Sequence, residues 1–195
     1  ANSPISSLTG NQEKKALGDK LANELIGFIE KQVPTDLKPK ANAVLAREYY
    51  YTIASVHSRA RRDAEGLAVY EQLGKLIGVD DDLRGKQAGW HRDRKRYAQA
   101  RKIYSQYTDK VAGLVNIAWT YRRHEGKHDQ AVAVYNQLIG LEKEREGEWH
   151  ENIVGTWREA KKWDNAIATY QTLLKVVPAR FGDWYWGIAD CHERS

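Results

Sequence analysis

Methionine is absent from these 195 residues, cysteine occurs once, phenylalanine twice and proline four times. The lone thiol, Cys191, has no second cysteine to join within the chain, and no CxxC spacing exists to hold a metal. No apolar run approaches the ~20 residues of a membrane-spanning helix, so no membrane insertion is expected. Pro4, Pro34, Pro39 and Pro178 leave long stretches free of the residue that most strongly breaks helices. Without an initiator methionine, Ala1 is either a processed or a trimmed start. The expected compartment is cytoplasmic, or periplasmic or exported if Ala1 is a processed start.

Charge of one sign is also in short supply. The formal net charge is +5, made of +1 over residues 1–80 and +4 over residues 81–195. A nucleic-acid surface calls for a dense basic stripe, so no nucleic-acid partner is expected, only a mild preference for acidic ones. With 42% hydrophobic and 29% charged residues, the chain reads as water-soluble and helical.

What is present is a repeat. A small residue followed four later by tyrosine recurs at Gly66–Tyr70, Ala100–Tyr104, Ala131–Tyr135 and Ala166–Tyr170, with successive starts 34, 31 and 35 residues apart. Upstream of each lies a small residue followed three later by a ring: Ala54/His57, Ala88/His91, Ala118/Tyr121 and Val154/Trp157, with a fifth at Ala189/His192. The two small residues of a unit are 12 apart in three cases. They are 13 apart in the third, where the turn Arg122–Gly126 reads as one residue longer. This spacing predicts antiparallel helix pairs joined by tight turns. Axes cross at about 8–10 Å only where side chains are small, and the tyrosines then fill the gap to the next pair. No single pair buries its apolar face alone, so stacking holds the array together.

These features resemble the tetratricopeptide-repeat family. Its second-helix motif stands here as Tyr97-Ala98-Gln99-Ala100, Lys127-His128-Asp129-Gln130-Ala131 and Trp163-Asp164-Asn165-Ala166. Its closing proline is Pro178, while Gly78, Ala112 and Lys143 occupy the equivalent places. The resemblance covers residues 46–195 and is weakest around 82–107, where Arg84 and Gln87 replace bulky apolar residues. It implies an all-α, right-handed superhelical α-solenoid of about four repeats, at 38–77, 82–107, 110–143 and 147–178. A half-repeat follows at 181–195, and an N-terminal capping helix at 11–33 precedes them. Residues 1–10 read as a flexible tail, and 11–195 as a single domain. In the capping helix Leu17, Leu21, Leu25, Phe28 and Ile29 share a face, closed by Pro34.

Candidate chemistry is mostly absorbed by this packing. His57, His91 and His192 stand at the ring position of first helices. His124 and His128 are four apart, but Gly126 and the turn separate them, so no metal is expected there. Trp149-His150-Glu151 is not a zinc-binding HExxH, since Val154 fills the second histidine's place. Asp80-Asp81-Asp82 lacks the pattern of a calcium loop and reads as the cap of a helix beginning near Leu83. No catalytic residues and no cofactor are expected, and the chain reads as a binding module, not an enzyme.

In the family the first helices line a concave groove that holds a partner polypeptide. Carried onto this chain, that implies a protein or peptide partner. One turn past each small residue come Arg59, Arg92, Arg122, Arg123 and Arg158, a ladder of guanidinium forks suited to carboxylates, so the expected partner is acidic. Asn116 and Asn152 recur at matching places, where amides can clamp a backbone, and Trp119 sits beside Ala118 on the same side. Some family members clamp a C-terminal carboxylate with paired lysines and asparagines, but Tyr51, Ser55, Gly85 and Gly89 stand at part of that clamp. The groove is expected to use Tyr51, Lys86, Asn116 and Asn152 differently. The ring-rich end Trp184-Tyr185-Trp186 suggests a homo-oligomer formed through the C-terminal helix as an alternative.

Overall fold

A computed structural model of the chain describes residues 10–32 and 43–195. The expected tail, apart from Gly10, and the expected closure at Pro34 lie outside the described residues. Those residues form helices and turns with no strand among them. They divide into two compact units, one ending at Val79 and the other running Asp80–Ser195.

The first unit holds α1 (Gly10–Gln32), α2 (Ala43–Arg59) and α3 (Asp63–Ile77). Helices α2 and α3 form the first pair, with Ala54 fully buried where they cross and Val69, Tyr70 and Leu73 packed in behind it. Their turn is tight because Arg61 adopts φ +57°, which lets the Arg62 amide donate to the His57 carbonyl at 2.9 Å. The Arg62 side chain then ties the turn to α1. It donates to the Asp19 carboxylate at 2.7 Å, to the Asp19 carbonyl at 2.9 Å and to Asn23 at 2.7 Å.

The second unit repeats the same construction. Its helices are α4 (Asp81–Asp93), α5 (Tyr97–Tyr104), α6 (Lys110–Trp119), α7 (His128–Leu141), α8 (Glu146–Glu159), α9 (Trp163–Val176) and α10 (Phe181–Arg194). They pair as α4/α5, α6/α7 and α8/α9, and α10 packs on α9. Ala88, Ala100, Ala118, Ala131 and Ala166 are completely buried, and Tyr104, Tyr135 and Tyr170 are nearly so, as the spacing predicts. Leu138 and Leu173, seven residues past the small residue of their helices, are also at zero exposure. Such a leucine contributes about 2–5 kcal/mol, judged by what its truncation costs in a closed core.

Turn closure accounts for the irregular spacing. The Arg96 and Lys162 amides donate five residues back, to His91 and Trp157, just as Arg62 does to His57. In the longer turn the Lys127 amide reaches six residues back, to Tyr121 at 2.9 Å. The extra residue is absorbed by a π-helical stretch over Thr120–Glu125 that continues α6, a common way for an inserted residue to be accommodated without breaking a helix. Gly126 follows at φ +63°, the left-handed turn position held by Arg61, Lys95 and Lys161 in the other pairs.

The short 31-residue interval has a separate origin. Helix α5 has 8 residues, against 15, 14 and 14 for α3, α7 and α9. Tyr107, buried at 7% exposure in the following loop, fills the space that the missing turns leave. The acidic triplet serves this junction. Asp80 caps α4 by accepting the Leu83 amide at 3.0 Å, as expected. Asp81 accepts the Thr108 and Asp109 amides at 2.8 and 2.9 Å, fastening the loop between α5 and α6. Leu83, fully buried, and Trp90 supply the apolar contacts that Arg84 and Gln87 do not.

Candidate functional site

The first helices of the second unit, α4, α6, α8 and α10, bring most of the predicted residues into one series. Taking the small residue of each helix as origin, Arg92, Arg122 and Arg158 stand four past Ala88, Ala118 and Val154. Arg92 and Arg122 each reach forward to the position one past the small residue of the next first helix, Ala118 and Val154, and Arg158 reaches α10. The Arg92 guanidinium lies 5.6 Å from the Trp119 ring centroid, in cation–π range. Arg122 lies over Gly155, where an added Cβ would stand 2.8 Å from Nη2. Arg158 donates to Asp190 at 2.7 Å.

Each arginine also leans on the tyrosine of its own second helix. Arg158 donates to the Tyr170 hydroxyl at 3.2 Å, and Arg92 and Arg122 lie beside Tyr104 and Tyr135. Arg92, Arg122 and Arg158 are therefore each engaged within the chain. Arg122 makes a two-pronged bridge to Glu159, with Nε–Oε2 at 2.8 Å and Nη2–Oε1 at 2.7 Å. Arg123 shares the same carboxylate at 2.9 Å. The hydrogen bonds from Arg122 are the main reason the Glu159 carboxyl is held below its usual range, and Arg122 is correspondingly pushed up. Arg92 pairs with its neighbour Asp93, at 3.2 and 3.3 Å.

The two asparagines are likewise partly engaged. Asn116 donates to the Ala112 carbonyl at 2.9 Å and Asn152 to the Glu148 carbonyl at 3.0 Å, each four residues back on its own helix. Their carbonyls receive the Thr120 and Thr156 hydroxyls, both at 2.7 Å. One amide hydrogen of each side chain is thus committed within its own helix. Lys86 stands exposed on α4.

Trp119, the last residue of α6, is 41% exposed. Its ring meets His124 edge-on at 4.6 Å, and His124 stacks on Tyr97 at 5.7 Å. The π-helical stretch is what carries His124 into this place. Burial, followed by the Arg92 charge, pulls the His124 pKa below its usual value. His128 opens α7 beyond the turn. Among the described residues no cluster of three or more histidine, cysteine or acidic side chains is placed to hold a metal.

Tyr51 and Arg59 belong to the first unit. The Tyr51 ring meets Tyr70 edge-on at 6.0 Å, and Arg47 approaches its hydroxyl at 3.4 Å. Arg59, at the end of α2, opens onto a cleft of about 760 Å3 shared with Lys14, Lys15 and Arg61. His57 is buried in its ring position, and that burial, with Arg62 nearby, lowers its pKa. His192 and Ala189 are both exposed on α10. That helix turns Trp184, Gly187 and Cys191 inward against α9 instead. Phe181, Tyr185 and Trp186 stand 62, 61 and 79% exposed on it.

Sequence reasoning located the arginines and missed what answers them. Glu159 and Asp190 lie 37 and 32 residues from their partners, and only superposing consecutive first helices brings the pairs into register. No helix of the described residues is long and apolar enough to cross a membrane. No curated protein matches the chain. Residues 114–148, from within α6 through the π-helical turn and α7 to the first residues of α8, match the family model described as tetratricopeptide repeat, and that match supports assigning this helix pair to the tetratricopeptide-repeat family.

Proposed function

We propose that the chain is a protein-interaction scaffold, not an enzyme, and that its second unit holds an acidic polypeptide segment along the first-helix face. The observation that carries this reading is Trp119, a large ring left 41% exposed beside Arg92. Buried aromatic and arginine anchors dominate the energy of protein interfaces, and a half-open ring beside a guanidinium group is suited to that role. Arg123, with 52% of its side chain exposed and only a shared carboxylate, supplies the charge. Arg122 and Arg158 stiffen the wall through Glu159 and Asp190, so reversing either one perturbs the fold as well as any contact.

The test is calorimetric titration with a short oligoglutamate peptide carrying one leucine, at two salt concentrations. Trp119→Ala and Arg123→Glu each weaken binding about tenfold or more, and added salt weakens the parent further. Affinity unmoved by both substitutions rejects the site. A second reading, self-assembly through α10, rests on the exposed Phe181, Tyr185 and Trp186. Light scattering that gives a strict monomer at high concentration rules it out.

A further inference from the structure

Helix α1 carries an apolar face that the other described helices of its unit leave exposed. At 100° per residue, Leu17, Leu21, Leu25 and Phe28 fall within an arc of about 80°. They are 57, 55, 47 and 61% exposed. The helix docks on α2 by a different face, through Ala22, which is buried to 6%, and through the half-buried Ile26 and Ile29. Single exposed leucines are ordinary, but four in one row over about 17 Å of helix form a seam.

One flank of that seam carries a charge code. Glu13, Lys20, Glu24 and Lys31 all lie within about 60° of Leu17 on the same side of the helix. Their signs alternate along the chain, and the pairs 13/20 and 24/31 are each one heptad apart. When two helices pair antiparallel, like flanks face each other, so this flank meets its own reversed copy. Reversal sets Glu13 opposite Lys31 and Lys20 opposite Glu24, each twice by symmetry. A shift within two residues of this one sets Leu17 against Phe28 and Leu21 against Leu25. A parallel pair would instead face this flank with the other one, where Gly18 and Ala22 lie, and the code would go unread.

We propose that the chain self-associates through a two-fold antiparallel pairing of α1, with Leu17, Leu21, Leu25 and Phe28 as the seam and the four charges fixing direction. An isologous contact of this kind requires a patch that complements itself, which this row does in charge and in apolar register together. The flank has no excess of either sign to recruit an acidic or a basic partner. The Lys20–Glu24 pair within one helix, at 3.9 Å and largely in water, leaves both groups able to bridge across the seam.

The experiment is light scattering of the full chain over a concentration series. The parent doubles in mass as concentration rises. Leu21→Asp combined with Leu25→Asp stays monomeric, with unchanged helical circular dichroism, because both side chains already face water in the protomer. Lys31→Glu sets like charges at both ends of the seam and weakens association roughly tenfold, and adding Glu13→Lys restores it. That rescue is specific to the reversed register. A monomer at every concentration overturns the proposal. So does association that survives the two aspartates, association lost only in Trp186→Ser, or a Lys31→Glu defect that Glu13→Lys leaves unrepaired.

Discussion

Replacing Glu159 with glutamine separates what the arginine ladder does for the fold from what it offers a partner. The carboxylate receives two charge-assisted hydrogen bonds from Arg122, at 2.7 and 2.8 Å, and forms an ion pair with Arg123 at 2.9 Å. Hydrogen bonds to charged groups contribute about 1.5–3 kcal/mol where solvent is excluded. Arg122 is nearly so, with 12% of its side chain exposed, but Glu159 is 31% exposed and Arg123 52%. The discount for water therefore brings the expected loss to about 1–2 kcal/mol, a fall of several degrees in the thermal midpoint for a chain of this size. The sign of the pH dependence follows from the lowered Glu159 pKa. A carboxyl whose pKa is depressed by folding stabilises above its unfolded value of about 4.3, and that contribution disappears as pH falls through the folded value. The gap between parent and Glu159→Gln is thus full at neutral pH and closes in acid, which thermal melts at pH 7 and pH 3.5 compare. Binding moves the other way. With Glu159 neutral, Arg122 and Arg123 present uncompensated charge, and oligoglutamate binds several-fold tighter at low salt. A glutamine variant as stable as the parent at pH 7 refutes the bridge. A variant that is destabilised but binds no better refutes the placing of the acidic partner beside it.

Two further perturbations bear on how the array is held. In α10, Gly187→Ala would place a Cβ 2.2 Å from Cζ of Tyr170, a ring only 6% exposed, while Gly182→Ala meets nothing within 4 Å. Alanine gains about 1 kcal/mol of helix propensity at either position, and overpacking costs about 1–3 kcal/mol at the first alone, so chemical denaturation gives opposite signs within one helix. Asp81→Asn weakens the fastening of the loop between α5 and α6. The Asp109 amide is the main cause of the lowered Asp81 pKa, so the loss appears at neutral pH and fades in acid, read by hydrogen exchange at Thr108 and Asp109.

The helix pairs were legible because small residues and tyrosines have to recur where axes cross, and Ala88, Ala118, Ala131 and Ala166 leave little choice. The thirteenth residue of the third pair was legible as a count, but its form as a π-helical stretch was not. The same extra residue can lengthen a loop, and the choice here rests on Lys127 reaching back to Tyr121. The shortening of α5 was hidden because Tyr107, a ring in a loop, does the work of the missing turns. For α1 the amphipathic pattern was plain and the inward face was not. Leu17, Leu21, Leu25 and Phe28 form one apolar arc and Ala22, Ile26 and Ile29 another. Periodicity finds both, and only docking on α2 decides which is covered.

The first-helix face is a relay in which each guanidinium must be received by the next helix. Three receivers answer them: the ring of Trp119, the space above Gly155 closed by Glu159, and the carboxylate of Asp190. A carboxylate receiver satisfies the arginine and cancels its charge, so the wall gains rigidity there and loses attraction for an anion. The ring receiver cancels nothing. A cation–π contact leaves Arg92 its charge, shared only with the adjacent Asp93, and leaves Trp119 with 41% of its surface in water. On the proposed scaffold, recognition therefore concentrates where α4 meets α6, because apolar area and guanidinium charge stand open side by side. The π-helical stretch that turns His124 against the same tryptophan fixes the ring in that position, so the residue that breaks the repeat's spacing also sets its anchor.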